Sequence, residues 1–187
     1  MKKLSKQLLL QELKIKMEKD KKLSLASSNL VFGEGSAETK IVFIGEAPGL
    51  KEDQAKRPFV GRSGKLLTTS LEEIGLRRED VYITNIVKRR PPENRDPSLL
   101  EIEAYAPYLK KQLEIIEPQI IITLGRFALN YFLPKIKISQ SQGQVFKVEK
   151  ILLIPMFHPA AALRGTKVLK QFKETFKKVA KVLKSEN

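Results

Sequence analysis

Apolar positions along the chain follow two rhythms. Short unbroken runs stand at 40–44, at 81–87 ("VYITNIV"), at 119–125 ("QIIITLG") and at 151–157 ("ILLIPMF"). Runs of this length, rich in β-branched residues and bounded by turn residues, predict strands buried on both faces. Between them lie longer stretches with helical spacing. Residues 3–20 form a lysine-rich helix carrying Leu4, Leu8, Leu9 and Leu13 toward one side, and residues 63–74 read as a helix that stops at Gly75. Ser98, with Glu101 three positions on, makes a capping box for a helix reaching Glu117, with Pro107 as a kink or boundary. A short helix runs on to Phe132, and a C-terminal helix shows Val168, Phe172, Phe176, Val179 and Leu183 on one face. "KRRPPENRDP" (88–97) must be loop, because its prolines break helix and ladder alike, and "GQVFKV" (143–148) suits an antiparallel edge strand. Strands alternating with helices predict an α/β fold, a three-layer α/β/α sandwich around a central, mostly parallel four-stranded sheet, in one domain spanning 1–187.

Charge adds a partner class. Lys and Arg number 35 against 21 Asp and Glu, a formal net charge of +14. Such an excess favours a polyanion, nucleic acid first and an anionic membrane surface second, although a merely soluble lysine-rich surface gives the same sum. No apolar run is long enough for a membrane span, and the start of the chain lacks the apolar core of a secretory signal, so a cytoplasmic location is expected. There is no cysteine and a single histidine, His158. Disulfides, zinc–thiolate sites and cysteine-ligated iron–sulfur clusters are thereby excluded, and no metal or other cofactor is expected.

In a parallel sheet the loops after the strands' carboxyl ends meet in one crevice, where ligands bind. The unusual residues sit there: Gly45 to Gly49 after the first strand, Asn85 to Arg90 at the second, and His158 after the last. "VGRSGKLL" is not a phosphate loop. The position of its first glycine holds Phe59, and Leu66 follows Lys65 where a magnesium-binding hydroxyl belongs. Gly45 and Gly49 allow a tight turn whose amides face an anion or a base edge, or a turn that only reverses the chain. Phe59 is either a stacking platform or a core plug. Asn85 offers a donor and an acceptor, or simply ends a strand. Glu46, Glu52 and Asp53 are active-site carboxylates, or solvated and capping ones.

"GEAPGLKEDQAKRPFVGRSGKLL", "VYITNIVKRRPPENRDP", "EPQIIITLG" and "PMFHPAAALR" together resemble the family-4 uracil-DNA glycosylases of the uracil-DNA glycosylase superfamily, from about Val31 to the C-terminal helix. Members of that family usually hold a four-iron, four-sulfur cluster on four cysteines. Here those places fall on Glu18, Lys21, Arg89 and Tyr105, so the chain resembles a cluster-free variant. Packing of Tyr105 and charge pairing among Glu18, Lys21 and Arg89 are expected to tie the N-terminal helix to the 88–105 segment instead.

The resemblance implies hydrolysis of the N-glycosidic bond between uracil and deoxyribose in single- or double-stranded DNA by a monomer, leaving an abasic site. It implies that Asn85 reads the base edge, Phe59 stacks on the ring, and Gly45 and Ala47 lie against the base. His158 would stabilise departing uracil. Ala47 stands where some superfamily members carry Asp, so either Glu46 or Glu52 positions water or a dissociative path needs little base help, and Glu52 alternatively walls off the C5 side against thymine's methyl. Lys88, Arg89, Arg90 and Arg95 are expected on phosphates, with Leu163 and Arg164 either in the gap left by the flipped base or simply in the first turn of a helix. The alternative is a non-catalytic relative that senses uracil in DNA.

Overall fold

The computed structural model describes residues 4–185. The chain opens with α1 (Lys6–Glu18), capped by the Ser5 hydroxyl, which accepts from the Leu8 N–H. Lys3, where the expected helix begins, lies outside the described residues. Two-residue β1 (Glu34–Gly35) precedes β2 (Ile41–Gly45), α2 (Leu50–Ala55) and α3 (Arg62–Glu72). Then come β3 (Tyr82–Asn85), α4 (Leu99–Ile116), β4 (Ile120–Leu124) and α5 (Arg126–Phe132). The chain finishes with α6 (Ile138–Ser141), β5 (Phe146–Val148), β6 (Ile151–Met156), α7 (Pro159–Ala162) and α8 (Thr166–Ser185).

Among the described residues the sheet has six strands in the order β1-β3-β2-β4-β6-β5, not four. The four expected strands form its parallel centre, and β1 and β5 pair antiparallel at the two edges. The edge strand expected at 143–148 is β5, shortened to three residues, while two-residue β1 is too short to carry a readable period.

Alternation along β2 builds both layers. Val42 and Ile44 face α1, α4 and α5, in a core with Met17, Tyr105, Leu109 and Ile121. Ile41 and Phe43 face α3, α7 and α8, packing with Leu67, Leu71, Phe172 and Phe176. Phe43 and Phe176 stack at 5.9 Å. The C-terminal helix therefore buries the stripe its spacing predicts. On α1 the expected Leu9 and Leu13 pack against the core beside the buried Leu10 and Met17, while Leu8, and Leu4 ahead of the helix, are about half exposed. The capping box forms, with the Ser98 Oγ accepting from Glu101 N–H and the Glu101 carboxylate accepting from Ser98 N–H. Helix α4 continues through Pro107, which is exposed, as is Glu103 four residues back, whose carbonyl the proline cannot pair.

Helices α3 and α5 leave β2 and β4 toward opposite faces of the sheet. The gap between these neighbouring strands is the topological switch point, and it opens at their carboxyl ends.

Candidate active site

Four strand ends frame this opening. Strand β2 delivers Gly45 to Gly49, β3 delivers Asn85, β4 ends at Gly125, and β6 leads to His158. A cavity of about 360 Å³ lies among them, walled by Glu46, Glu52, Phe59, Asn85 and His158. That is toward the small end of ligand sites. A larger hollow of about 950 Å³ lies between α1 and α4, lined by leucines under a rim of lysines and glutamates. It is remote from the strand ends and gathers none of the convergent polar groups found here.

Gly45 is required by close approach. A β-carbon there would stand 2.4 Å from Asn85 Oδ1 and 2.5 Å from Phe59 Cζ. Asn85 is 1% exposed, and its Oδ1 is buried with no hydrogen-bond partner among the described residues. A buried unpartnered acceptor costs about 1–3 kcal/mol, so it marks a place built for an incoming donor.

Phe59 is buried, yet has a left-handed φ of +52°. Its ring lies 5.7 Å from that of His158, tilted by 34°. The Glu52 carboxylate holds the loop beyond it, one oxygen accepting from both Val60 N–H (2.9 Å) and Gly61 N–H (2.8 Å). One Glu52 oxygen is thus engaged by the backbone, while the carboxylate still lines the cavity.

His158 caps the short helix α7, with Pro159 in the first turn. Its Nδ1 accepts the Ala160 N–H at 3.2 Å. In the neutral ring the proton therefore sits on Nε2, which is left as a donor. Burial lowers the His158 pKa to about 4, with Glu52 pulling it up and Arg164 pushing it down. Near pH 7 the imidazole is a neutral hydrogen-bond donor. Glu46 shifts the other way. Burial raises its pKa to about 7, Asp96 adds to the rise, and Arg126 opposes it.

The cationic residues divide. Arg95 and Arg164 reach the cavity wall, Arg95 while paired with Glu101 at 2.7 Å. Leu163 is 43% exposed and lines the adjoining groove with Leu50 and Arg164. Arg90 bonds Asn94 at the surface. Lys88 is corrected outright: it is 0% exposed and cannot meet a phosphate. Its Nζ donates to Thr84 Oγ1 at 2.6 Å and to the Asn85 carbonyl. Those two bonds use both hydrogens of a neutral amine, in keeping with burial driving its pKa well below the ordinary lysine value. Arg89 likewise turns inward, to the Ser28 carbonyl.

The Uracil DNA glycosylase superfamily profile matches residues 32–184. The chain belongs to that superfamily. It is 46% identical over 169 residues to the Type-4 uracil-DNA glycosylase of Archaeoglobus fulgidus, covering 86% of this chain and 85% of that one. It is 49% identical over 167 residues to the Type-4 uracil-DNA glycosylase of Saccharolobus solfataricus, covering 84% and 77%. With that of Thermotoga maritima the figures are 47% over 146 residues, 76% of each chain.

The iron–sulfur cluster implied by the resemblance does not fit the residues present. Such clusters are held on thiolates, and the chain has none. Tyr105 is fully buried, and its hydroxyl donates to the Ser24 carbonyl at 2.7 Å. Tyr108 donates to Asp20 Oδ2 at 2.7 Å, and Ser28 Oγ to the Arg90 carbonyl at 2.7 Å. The segment after α1 is thus fastened by hydrogen bonds, one of them to the Asp20 carboxylate. The expected packing of Tyr105 forms. The expected pairing of Glu18 and Lys21 with Arg89 does not, since both lie exposed and Arg89 goes to Ser28.

Sequence reasoning missed the supports of Phe59, chiefly Arg78 and Glu34, which stand far from it in sequence without any regular spacing. It also left the histidine's protonation open. His158-Pro159 ahead of three alanines carried a signal, a capping residue followed by a proline at the first helical position.

Proposed function

We propose that the chain is a uracil-DNA glycosylase that excises uracil from DNA by hydrolysing its N-glycosidic bond, with the wall of this cavity as the base pocket. The observation that carries this reading is the buried, unpartnered Oδ1 of Asn85, next to the Phe59 ring and near a histidine that donates. Superfamily membership and the names of the most similar relatives support the reaction class.

A base inside a duplex cannot reach this cavity, so the nucleotide is flipped out of the stack, as glycosylases do. Uracil N3–H donates to Asn85 Oδ1, and the Asn85 amide N–H donates to uracil O4. Cytosine reverses that pattern and leaves buried polar groups unmatched, at about 1–3 kcal/mol each. Phe59 covers one face of the ring. As the bond breaks, negative charge gathers on uracil O2, and the Nε2–H of neutral His158 stabilises it. A preorganised donor of this kind is worth about 3–4 kcal/mol of barrier. DNA phosphates offset the positive charge on the sugar. Glu46, ionised above about pH 7, orients the attacking water. Arg95 and Arg164 at the rim take phosphates, and Leu163 enters the space the base vacates.

The test is incubation with a single-stranded oligonucleotide holding one uracil, followed by alkali. Strand scission at the uracil, absent with cytosine or thymine in its place, is the expected result. Tight binding of the uracil strand without scission would make the chain a binder and refute the proposal.

A further inference from the structure

Phe59 is the residue on which base stacking depends, and its backbone is in a conformation it would not choose. A non-glycine residue at positive φ is strained and persists only where its surroundings over-determine it. Three features do so. Glu52 takes the two N–H groups that follow. Helix α3 lies against the Phe59 carbonyl, where a β-carbon on Gly64 would come within 1.9 Å of the oxygen. The third is Arg78, in the turn before β3. Its Nη1 donates to the Phe59 carbonyl at 3.1 Å, and its Nη2 to the Pro58 carbonyl at 2.7 Å. Nη1 also reaches Thr68 Oγ1 at 3.0 Å, on α3.

Arg78 is aimed by a partner of its own. Its Nε donates to Glu34 Oε1 at 2.8 Å, and its Nη2 reaches the same oxygen. The Arg78 side chain is 16% exposed and that of Glu34 19%, so the pair is largely withdrawn from water. Glu34 sits on β1, in register with Ile83 of β3. A rigid guanidinium fork thus links the sheet edge, α3 and the two carbonyls that fix the Phe59 ring.

We infer that Arg78 is a positioning residue for base recognition, acting through Phe59 rather than on the substrate. This rests on the glycosylase reading above. A ring displaced by about 1 Å no longer covers the base, and misplacements of that size cost up to about 100-fold in rate.

The experiment is a double-mutant cycle of Arg78→Met and Phe59→Ala, with kcat/KM for uracil excision and affinity for free uracil as readouts. Arg78→Met alone is expected to lower both about 10- to 100-fold. In the Phe59→Ala background it should change them by less than about twofold, because the group it positions is gone. Affinity for a uracil-free oligonucleotide should hold in all four proteins, which a general loss of fold would not allow. Should Arg78→Met fail to fold, Arg78→Lys completes the same cycle. It keeps the charge opposite Glu34 but loses the fork that spans both carbonyls. Equal losses in both backgrounds, or no loss in either, would overturn the inference. An inactive wild-type chain would overturn the glycosylase reading and this inference together, whereas an active one with no coupling overturns only the inference.

Discussion

Gly45→Ala adds one methyl group at the point where the recognition elements meet. The new carbon would lie 2.4 Å from Asn85 Oδ1, 2.5 Å from Phe59 Cζ and 2.8 Å from Phe59 Cε2. Ordinary contact begins near 3.4 Å, so the amide or the ring must move by roughly 1 Å. Neither has slack. Asn85 ends a central strand with its carbonyl held by Lys88, and the Phe59 backbone is clamped on both sides. Overpacking of this kind costs about 1–3 kcal/mol. For a chain of this size that lowers Tm by roughly 2–4 °C per kcal/mol, so the protein stays folded at 25 °C. Catalysis suffers more, since a displacement of about 1 Å in a reading group costs up to about 100-fold. The assay is excision from a single-stranded uracil oligonucleotide under single-turnover conditions, beside a thermal melt. A variant that keeps its rate within about threefold of wild type would refute the claim that Gly45 brings Asn85 and Phe59 together to read a base.

Three further outcomes follow from the same contacts. The kcat/KM profile should rise through about pH 7 as Glu46 ionises, and Glu46→Gln should remove that limb while a second fall, as His158 protonates near pH 4, survives. Because the folded-state pKa of Glu46 is raised, its contribution to stability is present at low pH and fades as pH climbs through 7. Glu46→Gln should therefore melt higher than wild type at pH 8, by up to about 3 kcal/mol of stability. Lys88→Met should leave the salt dependence of DNA binding unchanged, whereas Arg164→Ala should lower its slope by about one. Wild-type stability should also rise with pH toward the ordinary lysine pKa, a dependence the Lys88 variant loses; an altered salt slope in Lys88→Met would contradict its burial. Tyr105→Phe should cost about 1–2 kcal/mol by orphaning the Ser24 carbonyl, while a chelator leaves the melting of wild type unchanged.

Much of this architecture is legible in the residues, and the gaps have physical causes. Ile41 to Ile44 and Ile120 to Leu124 announce buried strands because both faces of a parallel sheet demand apolar side chains. Ser98 and Glu101 announce a helix start because the box is a local bond pattern. Lys88 misled because it opens a basic run; only the path of the chain beyond β3 buries it against Thr84 and the Asn85 carbonyl while Arg90 stays at the surface. Leu4 and Leu8 misled because α1 carries leucines on several sides, and packing selects Leu10 and Met17. Carboxylate roles were not readable either: what separates Glu52 from Glu46 is that two backbone amides already point at one of them. Arg78 left no trace, since a bond from a side chain to carbonyls 19 and 20 residues away follows no spacing.

The most direct measurement is a crystal structure of the protein with free uracil, the reaction product. The ring should lie against Phe59, with N3 and O4 within hydrogen-bond distance of the Asn85 amide and O2 facing His158 Nε2. Uracil bound elsewhere, or bound in this cavity with Asn85 Oδ1 still lacking a donor, would contradict the account.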